Sequence, residues 1–212
     1  MQSCCSTEPR RVPCQQRGER RVAELIEAAA AVIAERGYES ATMSAIAERA
    51  RASIGSLYQF FPNKAAITQA LRTEYAKQFE AMYAPLAGEV GGLGLRELAN
   101  RLIDLTIRFV DTHPAFLPLL DAPRSTRSLP VIHNLLLGRF AGFFRARQPR
   151  ISNSRAVRLA TVTMQILKAI NQLYTELPVN ERGPLVEEFK VVLYSYLRAS
   201  VAPRGVTPRS NQ

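Results

Sequence analysis

Apolar residues in this chain recur at intervals of three and four almost throughout, and alternation with a period of two never holds for long. A helix repeats every 3.6 residues and a strand every two, so this spacing gathers apolar side chains on one face of a helix only. The pattern points to an all-α fold. Val22, Leu25, Ile26, Ala29, Val32 and Ile33 form one such stripe. It ends at "ERGYES", where Gly37 can take the positive φ of a helix C-terminus. Thr42 then suits the N-cap of "MSAIAERA", and Ser53 that of "IGSLYQFF". Pro62 closes the short helix, because it disfavours helical geometry in the residue before it. Asn63 caps a longer helix, "KAAITQALRTEYAKQFEAMYAPL". The Gly-rich "AGEVGGLG", Ala87–Gly94, reads as a linker. Five helices are expected beyond it, at 95–112, 114–121, 126–147, 152–177 and 181–201, with Pro114 in the first turn of the second and "ELPVNERGP" as a turn before the last.

Composition narrows the class. The chain has 212 residues, 47% hydrophobic and 22% charged, enough to bury a core. It contains no uncharged apolar run of membrane-spanning length. The stretch before Val22 is polar and does not read as a signal peptide, which makes the cytoplasm the default compartment. Cys4, Cys5 and Cys14 all lie in that stretch, without the spacing of a disulfide framework or a zinc site. His113 and His133 also lack metal-ligand spacing and suit a helix start or the surface. No nucleophile motif, phosphate-binding Gly loop or metal signature appears, so no enzyme, cofactor or metal is expected. The net charge of +10 favours a polyanionic partner. It is spread over two groups: Arg10, Arg11, Arg17, Arg20 and Arg21, then Arg139, Arg145, Arg147, Arg150, Arg155 and Arg158 with no acid between them. Charge alone therefore does not single out one region.

The stretch "SIGSLYQFFPNK", Ser53–Lys64, is more specific. Two short helices joined by Arg51–Ser53, after a longer one, are the parts of a helix-turn-helix. Ala47 is small where the short helices cross, and Ile46, Ala50, Ala52 and Leu57 are suited to bury together. Gly55 and Ser56 give the second short helix a slim N-terminal end for approach to base edges and phosphates. Tyr58 and Lys64 suit phosphate contacts, and Phe60 and Phe61 are expected to pack inward. An all-α small-molecule-binding protein or enzyme that does not engage DNA is the rival reading, and a purely structural helical dimer is another. Neither needs Gly55, Ser56, Tyr58 and Lys64 together.

Gly37-Tyr38, Thr42, Ile46-Ala47, Ser53, Gly55-Ser56-Leu57-Tyr58, Phe61 and Lys64 fall in register with a known pattern. Over Glu35–Ile67 the chain resembles the DNA-binding domain of the TetR family of transcriptional regulators. Arg51 departs from it, standing where the family usually has Gly, so a left-handed residue there costs about 1 kcal/mol. Ile54 stands where a polar or basic side chain is common, which leaves it apolar contact, for example with a thymine methyl.

The resemblance implies a DNA-binding regulator, most often a ligand-responsive repressor, that binds a palindromic operator as a homodimer. Its domains would be a disordered basic leader at 1–17, the helix-turn-helix domain at 18–64, an effector-binding and dimerisation domain at 65–201, and a disordered tail at 202–212. Double-stranded DNA and a partly apolar small-molecule effector are the implied partners, with no membrane. The implied DNA-binding residues are Thr42, Ser44, Ser53, Ile54, Gly55, Ser56, Tyr58, Gln59 and Lys64. Candidate effector walls are Phe79, Tyr83, Phe109, Phe116, Phe140, Phe144 and Tyr174, with Asn100, Asp104, Asn134, Gln165 and Asn171 as polar candidates. Pairing of the last two helices across a two-fold axis would use Leu159, Ile166, Ile170, Leu173, Phe189 and Tyr196.

Overall fold

The computed structural model describes residues 12–121 and 129–201. Among them lie α1 (Val12–Ser40), α2 (Met43–Arg49), α3 (Ile54–Phe60), α4 (Lys64–Glu89), α5 (Leu95–Thr112), α6 (Phe116–Asp121), α7 (Leu129–Arg147), α8 (Asn153–Glu176) and α9 (Val179–Val201), and no strand. The expected caps form. Thr42 Oγ1 accepts from Ala45 N at 3.2 Å, Ser53 Oγ from Ser56 N at 3.1 Å, and Asn63 Oδ1 from Ala66 N at 2.9 Å. Phe61 is extended, at φ −133 and ψ 107, as the residue before a proline should be.

Several boundaries differ from the sequence expectation. Residues 12–17 of the expected leader are helical. Pro13 sits in the first turn of α1, where a missing N–H costs nothing, and the Gln, Arg and Glu residues that follow are good helix formers. The rest of the leader, the start of the 126–147 helix and the 202–212 tail lie outside the described residues. Helix α4 continues through Pro85 to Glu89, three residues into the expected linker. The linker is also anchored. Val90 is buried, and Arg147 Nη1 donates to its carbonyl at 3.2 Å and to that of Leu93. Helix α9 starts at Val179, so Pro184 lies inside the helix and not in a turn. Pro114 sits in the turn before α6.

The chain divides into two compact units at Tyr75/Ala76, within α4 and not at Lys64, and the segment 114–123 belongs to the first unit. In that unit α1 packs on α2 and α6, and α2 on α3. Leu25, Ala29, Val32 and Ile33 of α1, Ile46 and Ala47 of α2, and Leu57 of α3 are buried, each large side chain contributing about 1.5–3 kcal/mol. Arg72 on α4 donates to Leu119 O on α6 at 2.9 Å, which fastens the returning segment. In the second unit α8 packs on α5, α7 and α9, and α5 on α9.

Candidate nucleic-acid interface and effector region

Inside α1, Gly37 has φ 75 and ψ 167, a conformation essentially restricted to glycine. The turn after it presents two carbonyls to Lys64. Lys64 Nζ donates to Tyr38 O at 2.9 Å and Glu39 O at 3.1 Å, and lies 4.3 Å from the centre of the Tyr38 ring. The lysine expected at phosphate is thus a clamp between α1 and α4, with one of its three N–H bonds left over. Sequence spacing does not reveal this, because the partners lie 26 and 25 residues away.

Two further interactions set the helix-turn-helix. Arg49 Nη2 on α2 pairs with Glu35 Oε2 on α1, and this hydrogen bond holds the Glu35 carboxyl below the ordinary carboxylate range. Arg51 carries φ 49, the left-handed geometry expected at the turn. Its backbone N–H donates to Glu48 O at 3.0 Å.

Helix α3 buries Leu57 and is followed by buried Phe61. Its opposite side presents Ile54, Gly55, Tyr58 and Gln59 to solvent, with Ser53 and Ser56 at its start. Ile54, Tyr58 and Phe60 are three of the eight large apolar side chains left exposed among the described residues. Phe60 therefore does not pack inward as expected. The chain turns extended at Phe61, whose side chain is buried, while Phe60 ends the helix 39% exposed. A Cβ at Gly55 would meet nothing within 4 Å, so the glycine leaves room for something outside the subunit. Seven residues of helix are about 10 Å long, which suits a major groove about 12 Å wide. Thr42 and Ser44 are exposed at the start of α2.

The expected effector residues separate into groups. Phe79, Tyr83, Phe109, Phe140 and Phe144 are buried, and the first four pack ring on ring in the core. Phe79 lies 4.8 Å from Tyr83 and 5.0 Å from Phe109, and Tyr83 lies 5.3 Å from Phe140. Tyr83 Oη donates to Leu102 O at 3.0 Å and lies 2.5 Å from Thr106 Oγ1; burial raises its pKa. Phe116 belongs to the first unit, its ring 6.3 Å from Tyr75. Asp104 is exposed and bonds Lys190 at 2.9 Å, raising the lysine's pKa and tying α5 to α9. Gln165 is exposed as well. Long polar side chains on a helix find solvent or a charged partner unless the interior offers one, so neither lines a pocket here. Tyr174 is half-buried, its hydroxyl 3.3 Å from Asp111 Oδ2 and its ring 5.0 Å from the Arg182 guanidinium. Asn100 is half-buried and Asn171 buried, with Asn171 Oδ1 unpartnered. His113 ends α5, stacked 4.1 Å from the Phe109 ring, with Nε2 2.7 Å from Gln78 Oε1.

The expected interface residues also divide. Leu159 and Ile170 face the core with Ala156, Thr163 and Leu167, so they do not lie at a subunit surface. Leu173 is exposed, as are Val162 on the same helix and Val191 and Val192 on α9. Ile166, Phe189 and Tyr196 are half-buried, and burial raises the Tyr196 pKa.

Comparison with known proteins supplies the context for this geometry. Residues 25–71 match the model for bacterial regulatory proteins of the tetR family, and residues 94–197 match the tetracyclin repressor-like C-terminal domain. The A-factor receptor protein of Streptomyces griseus is 40% identical over 70 residues. That stretch is 32% of this chain and 25% of the relative, so the match spans a quarter of that protein's length. Among solved structures, a TetR-family transcriptional regulator from Streptomyces coelicolor aligns with a TM-score of 0.68 at 23% identity, covering 85% of this chain and 99% of its own. A TetR-like regulator from Rhodococcus sp. RHA1 aligns with a TM-score of 0.60 at 21% identity, covering 86% and 97%.

Proposed function

The chain belongs to the TetR family of bacterial regulatory proteins, and from that premise we propose that it is a dimeric, ligand-responsive repressor acting in the cytoplasm. Proteins of this family are DNA-binding transcriptional regulators, typically without catalytic activity. The observation that carries the reading is the outward face of α3, where Ile54, Tyr58 and Gln59 stand exposed beside Gly55 while Leu57 anchors the helix.

Ser56 and Gln59 are assigned to base edges, and Ile54 to apolar contact with a thymine methyl. Tyr58, Ser44, and the N-caps Thr42 and Ser53 are assigned to the phosphate backbone. Lys64 holds the approach angle of α4 against the α1 turn and offers its remaining N–H to phosphate. Two copies read a palindromic operator, with half-sites about 34–36 Å apart. The outer faces of α8 and α9 form the two-fold contact through Val162, Leu173 and Val192, supported by Ile166, Phe189 and Tyr196. The second unit takes a partly apolar effector that favours a different separation of the reading heads. Near-complete switching needs about 5.5 kcal/mol of differential affinity.

The test is an anisotropy titration on an inverted repeat from the DNA upstream of its own gene, with unrelated DNA as control. Ser56→Ala and Gln59→Ala should each lose about 1–3 kcal/mol on the repeat alone. Tyr58→Phe should weaken both DNAs alike, since phosphate carries no direct sequence information. Equal losses on both DNAs for Ser56→Ala and Gln59→Ala would remove α3 from the reading role.

A further inference from the structure

An open groove of about 560 Å³ runs along α7 in the second unit, beside the filled aromatic core. Its size lies within the range of small-molecule sites, roughly 300–1,000 Å³. One wall is Asn134, Gly138, Gly142 and Ala146, spaced by four and therefore on one face of α7 over about 18 Å. Helix α4 supplies Ala87 and Glu80, and Phe143, itself buried, forms an apolar floor.

The glycines have no evident role within the subunit. A glycine inside a helix destabilises it relative to alanine. Neither Gly138 nor Gly142 has a positive φ, and a Cβ at either would meet nothing within 4 Å. No close approach and no special backbone geometry requires them. What their missing side chains do is keep the groove clear.

The groove also presents charge. Arg139 Nη2 pairs with Glu80 Oε1, and both side chains remain 29–30% exposed. A guanidinium has five N–H donors, so this single contact leaves most of the fork available. Glu80 is the one carboxylate in the lining, and no Asp or Glu occurs from residue 122 to 175. The lining thus holds one cation and one carboxylate, and what it offers a ligand is the exposed remainder of the Arg139 fork.

We infer that this groove is a binding site for an anionic amphiphile, a chain-like carboxylate whose apolar body lies over Gly138, Gly142 and Phe143 and whose head group takes the free edge of Arg139. The site rests on the reading of the second unit as effector-binding and supplies its ligand class.

The test uses the full-length protein and calorimetric titration with decanoate, decanol and decyltrimethylammonium. Decanoate should bind most tightly. Arg139→Gln should weaken it by roughly tenfold or more, as expected for a charged hydrogen bond, while Arg139→Lys should retain part of the affinity. Gly142→Leu should fill the groove and abolish binding without changing DNA affinity in the absence of ligand. No binding of decanoate, equal binding of the cation, or decanoate binding that survives Gly142→Leu would overturn the site. So would dissociation of the dimer by Gly142→Leu, which would make the groove a subunit contact. Decanoate that binds with the expected variant pattern and leaves operator affinity unchanged would uphold the site and refute the effector reading.

Discussion

Replacing Lys64 with Met keeps the apolar stem and removes the ammonium. The loss comprises two charge-assisted hydrogen bonds, to Tyr38 O and Glu39 O, and a cation–π contact. Such a hydrogen bond contributes about 1.5–3 kcal/mol when well shielded, and an exposed cation–π contact about 0.5–1 kcal/mol. The site is only half-buried, and water can reach both carbonyls once the ammonium is gone. At full strength these would sum to about 3.5–7 kcal/mol; solvent screening and rehydration of the carbonyls cut the net loss to about 2 kcal/mol. For a chain of this length that corresponds to a fall of roughly 4–8 °C in melting temperature. Far-UV circular dichroism on heating measures it, and the salt dependence of operator binding supplies a second readout. Neutralising one phosphate contributes about 0.9 to the salt slope. An unchanged melting temperature together with a loss of that full increment would show that Lys64 spends its charge on DNA, and the clamp would be refuted.

Arg51→Gly should raise stability by up to about 0.5 kcal/mol, because relief of the φ 49 geometry slightly outweighs the added chain entropy; a clear fall in melting temperature would mean the Arg51 side chain has a stabilising role. Gly37→Ala should cost about 1–3 kcal/mol from backbone strain alone, since the new Cβ meets no atom, and chemical denaturation measures it. The double variant Val162→Asp, Leu173→Asp should sediment as a folded monomer, whereas Ile170→Asp should fail to fold because it buries a charge without a partner. Tyr83→Phe should lose roughly 1 kcal/mol, as Thr106 keeps its own bond to Leu102 O.

The helices were legible where local chemistry decides them. Thr42, Ser53 and Asn63 cap in the structure because the bond they make is local, three residues on. The left-handed geometry of Arg51 was legible only through the resemblance, which puts Gly at that position. Pro184 misled, because proline weakens a helix by one bond that the surrounding turns can outweigh, and the glycines of Ala87–Gly94 misled at α4, which runs on to Glu89. On α8, Leu159, Ile166, Ile170 and Leu173 are all apolar, and spacing does not say which face meets the core and which the solvent. The Lys64 clamp and the Glu35–Arg49 pair join residues far apart in sequence and leave no local signal. The groove did leave one that was missed: two glycines four apart within a helix.

The unit that carries α3 is assembled from two separated pieces of chain, because α6 returns to it after the excursion from Ala76 to His113. A ribosome adding about 5–20 residues per second needs roughly 2–8 s to span that excursion. During this interval α1 to α3 have been synthesised while the segment that Arg72 fastens has not yet been made. Helices α2 and α3, at seven residues each, are too short to persist without packing. The nascent reading head is therefore incomplete until synthesis passes Asp121, and the growing chain acquires its full hold on DNA only after the first piece of the second unit, Ala76–His113, has been translated.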